Sequence, residues 1–263
     1  MRTDALRRRP RGRAGPWVGE REVSWAGAGL LRIRQRVQVR GSEPGADTTG
    51  PYWVFALVEV HSGTLQYLHG SERVVPPWPR FAVFMSPWSI VRTVPSSCVV
   101  STAALASSAR LFERALAHAV AWRWNGGELP TTIEGVAQAV SRRSSCVNVS
   151  REVDPTLAAR RSKRIIDASY CRPVTLASVA AQARLSPSVL SRSFKRAYGM
   201  PPVEYRHRLR VMDAMFRLAA GGEILTVLQD VGFGDASRFY SHFRSLLCAP
   251  PGRYSARSRN AKT

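Results

Sequence analysis

Ser188, Ser191, Arg192 and Lys195 fall at i, i+3, i+4 and i+7, the spacing that lines side chains along one face of an α-helix. Leu190, Phe194 and Ala197 take the opposite, apolar face of the same segment. The arrangement recurs further on. Placing Leu190 over Phe239 brings Ser188 onto Ser237, Phe194 onto Phe243, Lys195 onto Arg244, Pro201-Pro202 onto Pro250-Pro251 and Tyr205 onto Tyr254. In this second copy Phe239, Phe243 and Leu247 point inward, leaving Ser237, Arg238, Ser241 and Arg244 outside. Serine hydroxyls beside a guanidinium suit the edge of a base pair, since arginine reaches guanine O6 and N7 with two hydrogen bonds. On that chemistry Ser188, Ser191, Arg192, Ser237, Arg238 and Ser241 are candidate base readers. Lys195, Arg196, His242 and Arg244 are candidate phosphate contacts, which position a protein without reading sequence. The plain alternative is that all are solvated residues on helix surfaces, and the duplication weighs against it.

The elements needed to hold these faces are legible around them. Leu176–Ala183 has helical character and precedes Arg184-Leu185-Ser186-Pro187; Leu225–Val231 precedes Gly232-Phe233-Gly234-Asp235. Ser186 suits the N-cap, Pro187 the first helical position and Gly199 a left-handed end, while Asp235 is the N-cap of the second copy. This is helix-turn-helix organisation, twice. A long helix from about Pro202 to Ala219 joins the copies, and its Arg206, Arg208 and Arg210 read as a solvent-facing side.

The run Thr175-Leu-Ala-Ser-Val-Ala-Ala-Gln-Ala-Arg-Leu-Ser-Pro-Ser-Val-Leu-Ser-Arg-Ser-Phe-Lys-Arg-Ala-Tyr-Gly199, then Pro202-Val-Glu-Tyr-Arg206, Val231-Gly-Phe-Gly-Asp-Ala-Ser-Arg-Phe-Tyr-Ser-His-Phe-Arg244 and Pro250-Pro-Gly-Arg-Tyr254, resembles the DNA-binding domain of the AraC/XylS family of bacterial transcription regulators. The resemblance implies two helix-turn-helix units bridged by a helix, each recognition helix entering one of two successive major-groove segments. It also implies an N-terminal effector-binding or dimerisation domain, often a small cupin-like barrel, and more often activation than repression. Four positions depart from the family pattern. Arg184 and Cys248 stand where glycine is usual, and Leu225 and Leu228 replace small residues; two such leucines are expected to overpack by ~1–3 kcal/mol or to shift the second recognition helix.

Upstream, short apolar runs alternate with turn residues: Tyr52–Val60, Thr64–Leu68, Glu72–Val75, Phe81–Met85 and Ile90–Val94, a meander of strands suited to a sandwich or barrel. Ala104–Trp124 reads as a helix, either a dimer interface or a cover for the sheet, and Thr132–Arg142 as a second. Trp53, Phe55, Trp78, Phe84 and Trp88 either line an apolar effector pocket or fill a small core. His61 and His69 have no convergent partner, so no metal site is expected.

The chain has 263 residues and a formal net charge of +21, from 39 basic and 18 acidic residues, enough to bind a polyanion by counterion release. No apolar run is long enough to span a bilayer, and no apolar stretch follows the N-terminal arginines as in a secretory signal, so a cytoplasmic protein without membrane partners is expected. Cysteines 98, 146, 171 and 248 are far apart, against a Cys-x-x-Cys pair. No Pro-Cys-His-Arg methyl-acceptor signature, Gly-x-Ser-x-Gly elbow, glycine-rich phosphate loop or His-Glu-x-x-His is present, so neither an enzyme nor a cofactor is expected.

The expected fold class is α+β. It combines an N-terminal small cupin-like β-barrel with helices and a C-terminal all-α domain of two helix-turn-helix units joined by a long helix. The expected boundaries are a disordered basic tail over 1–15, an effector or dimerisation domain over 16–142, a linker over 143–154 and the DNA-binding domain over 155–258. Expected partners are double-stranded promoter DNA, a small-molecule effector, RNA polymerase and a second copy of the chain. The competing reading is an accessory protein that binds DNA through charge with little sequence specificity.

Overall fold

The computed structural model describes residues 17–25, 30–39, 46–69, 72–93, 98–108, 120–142 and 156–255. The basic tail and the linker expected from the sequence lie outside these. Among the described residues, ten strands occupy the N-terminal part: β1 (Trp17–Trp25), β2 (Leu30–Val39), β3 (Ala46–Thr48), β4 (Trp53–Ser62), β5 (Leu65–His69), β6 (Glu72–Val74), β7 (Arg80–Met85), β8 (Ile90–Thr93), β9 (Cys98–Ser107) and β10 (Val120–Arg123). After them come helices α1 (Ile133–Ser141), α2 (Leu157–Ser169), α3 (Leu176–Ala183), α4 (Pro187–Tyr198), α5 (Pro202–Ala219), α6 (Ile224–Asp230) and α7 (Ala236–Leu247), then a 3-10 turn at Pro251–Tyr254.

The expected closed barrel is replaced by two antiparallel sheets, one ordered β1-β2-β9-β4-β7-β10 and the other β3-β8-β5-β6. Among the described residues no ladder joins β1 to β10 or β3 to β6, so both sheets stay open. Short, evenly spaced strands fit a sandwich as well as a barrel, and only the long-range pairing separates the two. The inner faces share a core in which Val54, Ala56 and Val83 of the larger sheet join Leu65 and Tyr67 of the smaller. On the outer face of the larger sheet α1 covers Trp53, Phe55, Phe84, Leu105 and Trp122 with Val136 and Val140.

The helix expected over Ala104–Trp124 is corrected at both ends. Ala104–Ser107 closes β9 and Val120–Arg123 is β10. Strand β9 runs between β2 and β4. Leu105 packs under α1 while Ala104 and Ala106 face the inner core, the two-residue alternation of a strand buried on both sides. Alanine is tolerated there because β9 has neighbours on each side and above and below it; that packing overrides its helix preference.

In the C-terminal part local signals and structure coincide. Thr175 caps α3 by accepting from the Ser178 N–H at 3.1 Å. Ser186 caps α4 by accepting from the Val189 N–H at 3.3 Å, with Pro187 in the first turn. Asp235 caps α7 by accepting from the Ser237 N–H at 2.7 Å. Of the two departing leucines, Leu225 points to solvent at 69% exposure and overpacks nothing, whereas Leu228 is taken into the core.

Arg184 and Cys248 close α3 and α7 in the left-handed region, each at φ 58°. That conformation costs an L-residue ~1–2 kcal/mol, part of which glycine returns as unfolded-state entropy. Arg184→Gly and Cys248→Gly are each expected to raise stability by up to ~1 kcal/mol, read as a higher urea midpoint at an unchanged m-value. A lower midpoint would show that these side chains contribute more than their backbone strain costs.

Candidate nucleic-acid interface

Helix α4 is split lengthwise by burial. Leu190 and Phe194 have no exposure and Ala197 and Tyr198 are buried beside them, while Ser188, Arg192, Lys195 and Arg196 are exposed and Ser191 is half-exposed. Helix α7 repeats the division. Phe239, Phe243 and Leu247 are buried, and Ser237, Arg238, Ser241 and Arg244 are exposed. Arg238 lies 4.0 Å from the Asp235 cap, a contact too loose and too exposed to hold it. Each helix thus presents hydroxyls and guanidinium groups together on one outward face.

His242 lies elsewhere. It is half-buried on the side of α7 facing α5, its ring 4.0 Å from His207 and 5.9 Å from Phe233. Burial holds both imidazoles below the usual histidine range: His207 is brought to about 4, with the charge of His242 and nearby arginines adding to the effect, and His242 is lowered by burial and Arg238 against an opposing pull from Glu204. The pair is therefore neutral at physiological pH and works as packing between the bridging helix and the second recognition helix.

The long helix that spaces the two faces is not the surface element its arginines suggested. Arg208 and Arg210 are only 2% and 6% exposed. Arg208 pairs with Glu204 at 2.6 Å and with Asp47 of β3 at 3.7 Å. The Arg210 guanidinium donates to the carbonyls of Tyr170 at 2.6 Å and Arg172 at 2.9 Å, and lies 5.6 Å over the Phe233 ring. It so joins the segment before α3 to the turn before α7. Gly232, in that turn, approaches so closely that a Cβ would sit 2.1 Å from the Cys171 carbonyl oxygen. Asp213 accepts from Tyr52 at 2.6 Å, Tyr170 at 3.0 Å and Arg217 at 3.0 Å.

The five aromatic residues proposed for an effector pocket do not converge. Trp53 stacks on Phe84 at 5.5 Å and Phe55 packs on Trp122 at 5.9 Å, all beneath α1. Trp78 packs at the edge of the inner core, and Trp88 meets Tyr170 of the helical part at 5.8 Å. A different cavity, about 100 Å³, opens between the sheets. Ile33, Val37, Ala56, Leu65 and Tyr67 line it, and Met212 of α5 closes one side. The signal that would have found it is the alternation Leu31, Ile33, Gln35, Val37 along β2, which marks an inward face.

Two helices, each with one face buried and the other exposed, each behind a capped tight turn and joined by one long helix, define a double helix-turn-helix. Residues 179–257 match the model of a helix-turn-helix domain. Over 84 residues the chain is 36% identical to an AraC-like transcription regulator of Streptomyces lividans, covering 32% of this chain and 28% of that protein. Over 94 residues it is 33% identical to the HTH-type transcriptional activator RhaS of Pectobacterium carotovorum, covering 35% and 34%. The Salmonella typhimurium regulatory protein ada is 36% identical over 97 residues, covering 34% and 28%. The chain spans about a third of the length of these relatives.

Among solved structures, the C-terminal domain of the response regulator AraT from Geobacillus stearothermophilus is 25% identical, with TM-score 0.36 over 38% of this chain and 84% of that one. Fatty-acid-bound ToxT from Vibrio cholerae is 11% identical, with TM-score 0.44 over 87% and 95%. The C-terminal part of the chain is thus a helix-turn-helix domain, similar over this stretch to an AraC-like transcription regulator and to a transcriptional activator. No helix among the described residues is long and apolar enough to cross a membrane.

The histidine pair makes stability depend on pH. A histidine titrating near 6.5 when unfolded and near 4 when folded leaves its stabilising contribution intact above about 6.5 and loses it as pH falls toward 4. Allowing for half-exposure, His207 is expected to account for a loss on the order of 1–2 kcal/mol. Urea unfolding at pH 7 and pH 4.5 measures it: His207→Gln should lose that much less than wild type over the interval. Equal losses would show that the pair does not govern the acid response.

Proposed function

We propose that the protein is a sequence-specific DNA-binding transcription regulator that reads two successive major-groove boxes about one helical turn, ~10 base pairs, apart. The observation that carries this is the repeated outward face of α4 and α7: Ser188 corresponds to Ser237 and Arg192 to Ser241, and Ser191 in the first copy and Arg238 in the second lie on the same outward faces. Arg192 and Arg238 read guanine, the serines satisfy neighbouring base edges, and Lys195, Arg196 and Arg244 lie against phosphates. His242 is left out of the phosphate set because its ring is packed on His207. Similarity to a bacterial transcriptional activator supports regulation with activation as its outcome.

Control by an effector is part of the same reading. The cavity between the sheets is lined mainly by apolar side chains, together with Gln35, Asp47, Thr48, Thr49 and Thr102, and its size suits a small molecule. Benzene is a probe of comparable bulk. It should raise the melting temperature of wild type and not of Ala104→Leu, which fills the space; equal shifts in both would place the binding elsewhere.

Selection of bound fragments from genomic DNA by the full chain, followed by footprinting, tests the main reading. Two boxes a turn apart are expected. Arg192→Ala should cost ~1–3 kcal/mol on the preferred site and relax discrimination at one position, while Lys195→Ala should weaken all sites and lower the salt slope by about one. Even binding to all fragments, with both variants behaving alike, would leave the charge-driven accessory reading in its place.

A further inference from the structure

Asp213 stands at the junction of three bodies. Its carboxylate, 3% exposed on α5, accepts from the hydroxyl of Tyr52 in the sheet part at 2.6 Å and from that of Tyr170, just beyond α2 in the first unit, at 3.0 Å. It also holds Arg217, whose other arm reaches Asp230 at the end of α6 in the second unit at 3.2 Å. The Tyr52 ring stacks on Phe216 at 4.2 Å, and Met212 enters the cavity between the sheets. One turn earlier Arg208 meets Asp47 of β3. Elsewhere Trp88 packs on Tyr170, and Arg92 of β8 lies against Gly199, which ends the first recognition helix. The sheet part therefore touches the bridging helix and shares apolar cores with residues of both units, and at Asp213 it is tied by hydrogen bonds to the first unit through Tyr170 and to the second through Arg217.

We infer that Tyr52 is a positioning residue for DNA recognition: by locking Asp213 it fixes the two helix-turn-helix units relative to each other and so makes the protein strict about the spacing between its two boxes. The inference rests on the two-box reading above. The Arg210 bonds and the Gly232–Cys171 approach already join the two units, and the Asp213 cluster adds the tie that also engages the sheet part; each added base pair rotates the second box by roughly a tenth of a turn around the duplex. A rigid pair cannot follow that rotation, whereas a loosened pair can. The hydroxyl of Tyr52 lies in the protein interior, far from any face offered to DNA, so its effect on binding has to travel through Asp213.

The test uses the full chain and the best duplex recovered by selection from random sequence, remade with one or two base pairs inserted or deleted between the boxes. Binding is measured by fluorescence anisotropy for wild type, Tyr52→Phe and Asp47→Asn, with thermal melting in parallel. Tyr52→Phe keeps the ring on Phe216 and removes only the hydrogen bond to Asp213. Wild type should lose about tenfold or more in affinity at each one-base-pair step, a difference of ~1.4 kcal/mol. Tyr52→Phe should lose about threefold or less while binding the unshifted duplex nearly as well. Asp47→Asn should shift in the same direction without touching the core, and it serves in place of Tyr52→Phe if that variant does not fold. A wild type with a clear spacing optimum and variants with the same profile would overturn the inference and leave the two-box reading standing. A wild type with no preferred sequence or spacing would overturn the two-box reading itself.

Discussion

A carboxylate withdrawn from water has to be met by donors, because the desolvation of an unpaired buried charge costs several kcal/mol. Asp213 is such a group, and its three donors come from separate parts of the chain: Tyr52 before β4, Tyr170 beyond α2 and Arg217 one turn along α5. No one of these segments can satisfy it alone. The carboxylate consequently enforces long-range order between the sheet part and both helical units. Burial and the neighbouring carboxylate hold the two phenols far above their ordinary range, so they stay protonated donors at any physiological pH. The Arg217 guanidinium, raised by its bond to Asp213, stays charged on the same grounds.

Helix α5 is built to carry that junction. Most of its circumference is buried, which in a water-soluble helix normally demands apolar residues all round. Here Leu209, Val211, Ala214, Met215 and Leu218 supply the apolar share, and the polar residues between them each have a defined partner: Arg208 two carboxylates, Arg210 two carbonyls, Asp213 three donors. Burial brings Arg210 down to about 10, still charged near neutrality, so its hydrogen bonds to carbonyls keep their charge-assisted strength. A helix read from sequence as a spacer with a basic solvent side is in fact the common core of the molecule.

That difference shows where sequence stops being informative. The C-terminal elements were legible because their signals are local: Ser186-Pro187, Gly199 and Asp235 act within one turn of themselves, and the apolar stripe of α4 needs only its own period. The outward rows of Ser188, Arg192, Ser237 and Arg238 follow from the same periodicity. The N-terminal part depends on pairing across many residues. Ala103, Ala104 and Ala106 look helical until β2 and β4 are placed beside them, and the alternation in β2 was hidden among its arginines. Burial of Arg208 and Arg210 could not be read for the same reason, since their partners lie in β3 and beyond α2. Aromatic type marked Trp53, Phe55 and Phe84 as buried, but only the position of α1 makes them core and not pocket.

The left-handed helix ends show how tertiary contact decides what local sequence must be. Each unit has two such positions, Arg184 and Gly199 in the first, Gly232 and Cys248 in the second. Glycine is kept where something packs against the missing side chain: Arg92 would lie 3.0 Å from a Cβ at Gly199, and the Cys171 carbonyl 2.1 Å from one at Gly232. Arg184 and Cys248 are exposed, and there the chain bears only the modest cost of a strained backbone angle. Gly199 meets the sheet part and Gly232 meets the segment before α3, so both glycines sit where a helix end is packed against another part of the molecule.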